Sequence, residues 1–337
     1  MRTALLTTPG RLWTRNFTLY FGARAVSLPG DAMLPVVTAL AVGAIHGVSG
    51  VGSVLAVWTA PFVLFVLFGG VFADRIGART MMVGADAVRL ATQSVVAATF
   101  LISGLCLVLL RLPGRTPVIG SSSLFGDLRR GWSEFRSRAW MWSVILIWVF
   151  FGMLVFGPYV PLGSRLIGER LGDVAFAWVM AGLGAGTVLG GLIAIRLRPA
   201  HPLAAGGIAM SGFACIPLSV ALELPLPLLM AGHLIGGVAW AFWSVMWSTS
   251  VQTQVAPDVL NRVTAYEVAG SVSGVAIGQA LAGPVAEIVD PRELLLLSGA
   301  VSVAVCAALL LTPAIRGLRR APLSYARPEA EGNAGRL

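Results

Sequence analysis

Asp31 sits near the middle of an apolar run, residues 17–45, directly after Pro29-Gly30. A proline there bends a helix and frees backbone groups to line a cavity, and a carboxylate at that depth is costly unless it works or is paired. Two accounts stand on sequence: a proton carrier or counter-ion for a cationic solute, or a structural pair with Arg24, two turns back on the same face. Glu267 and His233 also fall inside apolar runs. Glu267 is either a buried coupling carboxylate or, so near the start of its run, a solvated group that complements a helix N-terminus. His233 is a hydrogen-bonded helix histidine or a proton switch. Trp240, Trp243 and Trp247 share its helix face, as a solute-pocket lining or as packing. Asp86 and Arg89 are three apart and can pair on one face, which favours a structural role.

These residues need an apolar frame, and composition provides it. Hydrophobic residues make up 57% of the chain and charged residues 12%, against roughly 45–50% and about 25% in soluble domains. Nine runs are long enough to cross a bilayer: 17–45, 51–72, 81–110, 139–163, 174–195, 202–221, 225–251, 263–286 and 294–313. The predicted class is therefore an all-α, polytopic membrane protein whose first partner is the lipid bilayer. The net charge of +9 does not point to nucleic acid, because the arginines sit in short clusters between apolar runs. Cys106, Cys215 and Cys306 lie inside such runs with no metal spacing and read as packing residues. No nucleophile constellation, phosphate loop or metal cluster is visible, so no enzyme, cofactor or metal is expected.

The polar loop between the second and third runs is Gly70-Val71-Phe72-Ala73-Asp74-Arg75-Ile76-Gly77-Ala78-Arg79. Gly70 and Gly77 permit a tight turn and close helix approach, while Asp74, Arg75 and Arg79 hold the turn at the aqueous boundary. The spacing Gly-x-x-x-Asp-Arg-x-Gly-x-Arg in this position resembles the signature loop of the major facilitator superfamily. Arg15-Asn16-Phe17 and Leu28-Pro29-Gly30-Asp31 are similar to its drug-efflux branch, which contains the enterobactin exporter. Part of the loop recurs: Gly69-Gly70-Val71-Phe72-Ala73-Asp74-Arg75 has a relative in Gly190-Gly191-Leu192-Ile193-Ala194-Ile195-Arg196. The two copies lie three runs apart, whereas the family's two six-helix halves would place them six apart.

The resemblance implies an incomplete facilitator fold of about nine transmembrane helices. Residues 1–110 would form an incomplete three-span bundle, 111–138 a cytoplasmic amphipathic linker, 139–313 a six-helix bundle and 314–337 a polar cytoplasmic tail. Helices four, five and most of six would be absent. It further implies that Asp74 clamps an inner gate against the start of the eighth run, near Arg262, Tyr266 and Glu267; the basic partner expected from helix four is missing. Gly278, Gly283 and Pro284 look like the family's close-packing segment. The implied function is proton-coupled efflux of small amphipathic compounds across the plasma membrane, with protons and an unidentified small molecule as further partners. The alternative is an internally deleted, transport-inactive membrane protein that at most binds a partner.

Charge and length conflict at 81–110. With 111–138 cytoplasmic, 19 arginines fall inside and only Arg165, Arg170 and Arg292 outside; simple alternation of nine spans leaves 8 inside and 14 outside. The positive-inside rule prefers the first, yet it puts both ends of 81–110 on one side. Thirty residues are too few for two crossings of roughly 20 each. We predict mixed topology at this segment: cysteine-accessibility labelling at positions 120 and 318 in intact cells should give heterogeneous protection, and uniform protection of both in an abundant protein would contradict it.

Overall fold

The computed structural model describes residues 45–60, 124–256 and 259–320, with isolated positions 19, 35, 42, 43, 83, 84 and 87. Among these residues all regular structure is helical. The helices are α1 (Ile45–Ala60), α2 (Leu124–Arg136), α3 (Ala139–Leu171), α4 (Asp173–Arg196), α5 (Pro202–Ala221), α6 (Leu226–Gln254), α7 (Leu260–Ala286), α8 (Pro291–Leu311) and the short α9 (Pro313–Arg316). Six of them, α3 to α8, are long and apolar enough to cross a membrane. The chain is thus a multi-pass membrane protein over its described length, and these six helices coincide with the last six predicted runs. Of the first three runs, 51–60 is described as part of α1, together with residue 45 and the isolated positions named above; the rest lies outside the described residues.

Local chemistry sets the helix ends. Pro202 and Pro291 occupy first-turn positions where a missing N–H costs nothing. Asp290 caps α8 by accepting from the Arg292 N–H at 2.7 Å. Gly172, at φ 85°, makes the turn between α3 and α4 that an L side chain would resist. Where the end of α3 meets the turn between α5 and α6, the Arg170 guanidinium donates to the Glu223 and Leu224 carbonyls. Arg292 lies 3.4 Å from the Glu223 carboxylate there.

Two glycine seams hold the bundle together. On α4, Gly182, Gly186 and Gly190 recur every four residues, and a Cβ on each would lie 2.9, 2.1 and 2.4 Å from the carbonyl oxygens of Met230, Leu234 and Val238 on α6. On α7, Gly270, Gly274 and Gly278 face Ile145, Val149 and Met153 of α3; a Cβ on Gly274 would meet the Val149 carbonyl at 2.1 Å. These small-residue stripes bring helix backbones into direct contact. α7 meets α1 in the same way, with Gly283 against Ser49 and Gly52 against the Gln279 carbonyl.

Gly186→Leu and Gly274→Leu should each lower stability by at least the ~1–3 kcal/mol typical of overpacking, because backbone cannot move aside as a side chain can. Gly184, whose added Cβ would meet nothing within 4 Å, should accept leucine. Thermal unfolding in detergent, followed by size-exclusion recovery, compares the three.

Candidate functional site

The middle of α3 departs from regular α geometry, and the cause is visible in its sequence. Residues Gly152–Phe156 form a π-helical turn immediately before Gly157-Pro158, and Pro161 follows inside the next turn. Pro158 has no N–H to offer the Leu154 carbonyl four residues back. Ser298 of α8 takes its place, with its hydroxyl 2.7 Å from that carbonyl and also 2.9 Å from the Leu294 carbonyl. A polar replacement of this kind is what lets a broken helix persist in lipid.

One turn beyond, Tyr159 reaches His233 of α6. The His233 ring is fully buried, and its Nδ1 lies 2.7 Å from the Leu229 carbonyl. A carbonyl only accepts, so Nδ1 carries the proton and the neutral ring leaves a lone pair on Nε2. The Tyr159 hydroxyl then donates to Nε2. The pair is closed: both ring nitrogens and the phenol are satisfied without water.

The three tryptophans of α6 continue the same face. Trp240 and Trp243 lie 5.6 and 5.5 Å, centroid to centroid, from Trp148 of α3, and Trp240 also meets Phe156 at 4.8 Å edge-on. Trp243 stacks on Trp247 at 6.2 Å, and Trp247 meets Trp140 at 5.5 Å. Trp243 and Trp247 are buried and Trp240 is partly so; the stripe packs against α3 along its length. At its end the Trp247 indole N–H donates to the Glu267 carboxylate at 3.0 Å. Glu267 thus lies in the second turn of α7, half-buried, with a specific donor. His233 and Trp247 are fourteen residues apart on one helix, about 21 Å along its axis, so the two ionisable groups do not form one site.

The linker helix α2 is anchored at the start of α7. Tyr266 donates its hydroxyl to the Leu128 carbonyl at 2.9 Å, and its ring lies 5.5 Å from Trp132 and 6.2 Å from Phe135. Its apolar face therefore meets protein as well as any headgroup layer; Phe135 is buried and Trp132 is half exposed.

Asp31, Arg24, Gly70, Asp74, Arg75, Gly77, Arg79, Asp86 and Arg89 lie outside the described residues. Tyr159 and Ser298 were not singled out from sequence. A hydroxyl between two prolines in an apolar run was the available signal for Tyr159; nothing local marked Ser298.

Tyr159→Phe should cost about 0.6 and at most ~1.7 kcal/mol, the range for interhelical hydrogen bonds in membranes. Removing both partners in Tyr159→Phe/His233→Leu should cost less than the two single changes together, since no lone pair is then left buried and bare. A double-mutant cycle by thermal unfolding measures this.

No protein-family model, curated protein or solved structure matches the chain.

Proposed function

We propose that the chain is a transmembrane carrier of the major facilitator type, whose activity is proton-coupled efflux of small amphipathic compounds across the plasma membrane. The observation that carries this reading is an all-helical bundle with six membrane-length helices following a Gly70–Arg79 loop of the facilitator signature. The bundle has the attributes a carrier needs. Its helix contacts are backbone-close, one helix is broken near midspan, and ionisable groups stand inside the apolar layer with defined hydrogen-bond partners. In this reading Asp31 couples proton movement to solute movement, and Glu267, beside the inner end of α7, responds to the gate formed with the Asp74 loop.

A second reading has its own support. The arginine distribution places both flanks of 81–110 on one side, which fits a chain that has lost three crossings and inserts without transporting.

Two proteins separate these readings: the chain as it stands, and a version with a three-helix segment restored near residue 105. In proteoliposomes the restored protein should move an amphipathic dye in proportion to an imposed proton gradient. Asp31→Asn in that protein should insert and accumulate normally but lose coupling; failure to accumulate would favour the Arg24 pairing. Inactivity across a broad dye panel together with a hydrolytic activity would refute the carrier class. Equal transport by the unrestored chain would refute the deletion reading.

A further inference from the structure

At the arginine-rich end of the bundle, a groove of about 230 Å³ opens between the end of α4, the start of α5, the end of α6 and the segment after α9. Arg198, Arg319 and Arg320 line it, with Thr249 and Thr253 from α6, and no carboxylate lines it among the described residues. Ile195, Leu197 and Pro202 give it apolar lining as well. Ile195 and Leu197 are more than half exposed.

Two backbone-level contacts hold the basic segment in place. The Arg320 N–H donates to the Ala200 carbonyl at 2.9 Å, and the Gln254 side-chain amide donates to the Arg319 carbonyl at 3.0 Å. The chain after α9 is therefore pinned to the loop between α4 and α5 and to the end of α6, and neither guanidinium is used in the pinning. Complementing the negative end of α6 accounts for part of this, because the last turn of α6 has no basic residue of its own. It does not account for three arginines lining one groove together with apolar side chains. Guanidinium groups bind phosphate oxygens through paired N–H donors, and basic pockets between transmembrane helices hold lipid headgroups.

We propose that this groove binds a phosphate group borne on an apolar tail, the headgroup of an anionic phospholipid, with Arg198, Arg319 and Arg320 on the phosphate and Ile195 and Leu197 along the first part of the acyl chain. The site does not depend on whether the chain transports.

The test uses the full-length protein in nanodiscs of phosphatidylcholine, with and without phosphatidylglycerol, and in neutral detergent with inorganic phosphate. Phosphatidylglycerol should raise the unfolding temperature, and native mass spectrometry should detect the retained lipid. Arg198→Gln, Arg319→Gln and Arg320→Gln should weaken retention about fivefold each and about a hundredfold together. Arg165→Gln, the same charge change at the far end of the bundle, should not. Because Arg320 and Arg319 pin the segment through backbone atoms, the glutamine variants keep those contacts; an unfolding temperature in pure phosphatidylcholine equal to that of the unaltered protein verifies it. No lipid retention, or retention undiminished in the triple variant, overturns the site. Equal protection by inorganic phosphate at the same concentration overturns the lipid assignment.

Discussion

In a bilayer two helices gain little by hiding apolar side chains from each other, since lipid tails are equally apolar. Association must come from contact area, interhelical hydrogen bonds and close fit. The fit in this protein is set by carbonyl oxygens lying close to where a Cβ would be, along Gly182, Gly186 and Gly190 on α4 and along Gly274 and Gly278 on α7, with Gly270 continuing the second seam against the Ile145 side chain. Backbone contact of that kind leaves no slack. The rotation of α6 is fixed by α4, and the rotation of α3 by α7, so the facing surfaces of α3 and α6 are determined before their side chains are considered. Tyr159 meets His233, and Trp148 meets Trp240 and Trp243, because the two seams turn those faces toward each other.

The irregular turn in α3 follows the same logic. A helix held at Val149 and Met153 by glycines on α7 cannot slide to absorb the break that Pro158 imposes. The π-turn at Gly152–Phe156 takes up the mismatch, and the Ser298 hydroxyl supplies the donor that the proline lacks. The break sits beside a hydrogen-bonded histidine, which puts a point of backbone weakness next to a titratable group in the same layer of the bundle. Motion of the upper part of α3 would have to break or carry the Tyr159–His233 bond, so the two features are mechanically linked.

How much of this the sequence discloses depends on the range of the interaction. The last six apolar runs mark their helices closely: 202–221 is predicted and Pro202–Ala221 is observed. Hydropathy fails where charge enters a helix without ending it. The run 139–163 stops short of Leu171 because Arg165, Glu169 and Arg170 look like loop, yet Arg165 and Glu169 pair across one turn at 2.8 Å and the helix continues. Likewise 294 misses Pro291 because Arg292 and Glu293 follow the Asp290 cap. The four-residue spacing of Gly182, Gly186 and Gly190 is legible as a small-residue face, but which helix it receives is not. His233 is a plain candidate, whereas its partner lies 74 residues away. Nor does the helical face of the tryptophans reveal that Trp247 ends on Glu267, since that bond joins two helices.

The conflict at 81–110 also has a geometric side that does not rest on counting arginines. Ser49 of α1 packs against Gly283 and Gly52 against Gln279, so α1 and α7 run in opposite directions. α7 begins at the arginine-rich end, where Arg262 lies and where α2 is bonded to Tyr266; α1 therefore points toward that end at Ala60. The end toward which α1 points and the end at which α2 is anchored are therefore the same end of the bundle. Beyond the remainder of the run 51–72, the sequence between α1 and α2 offers one apolar stretch of 30 residues, about 45 Å as a helix, enough for one crossing of a roughly 30 Å core and too short for two. Packing and charge agree on where the two ends belong, and apolar length disagrees with both. Neutralising arginines in 111–138 would remove the electrostatic half of the conflict and leave the other half standing, because Tyr266, Trp132 and Phe135 hold α2 on α7 through a hydroxyl hydrogen bond and ring contacts that carry no formal charge.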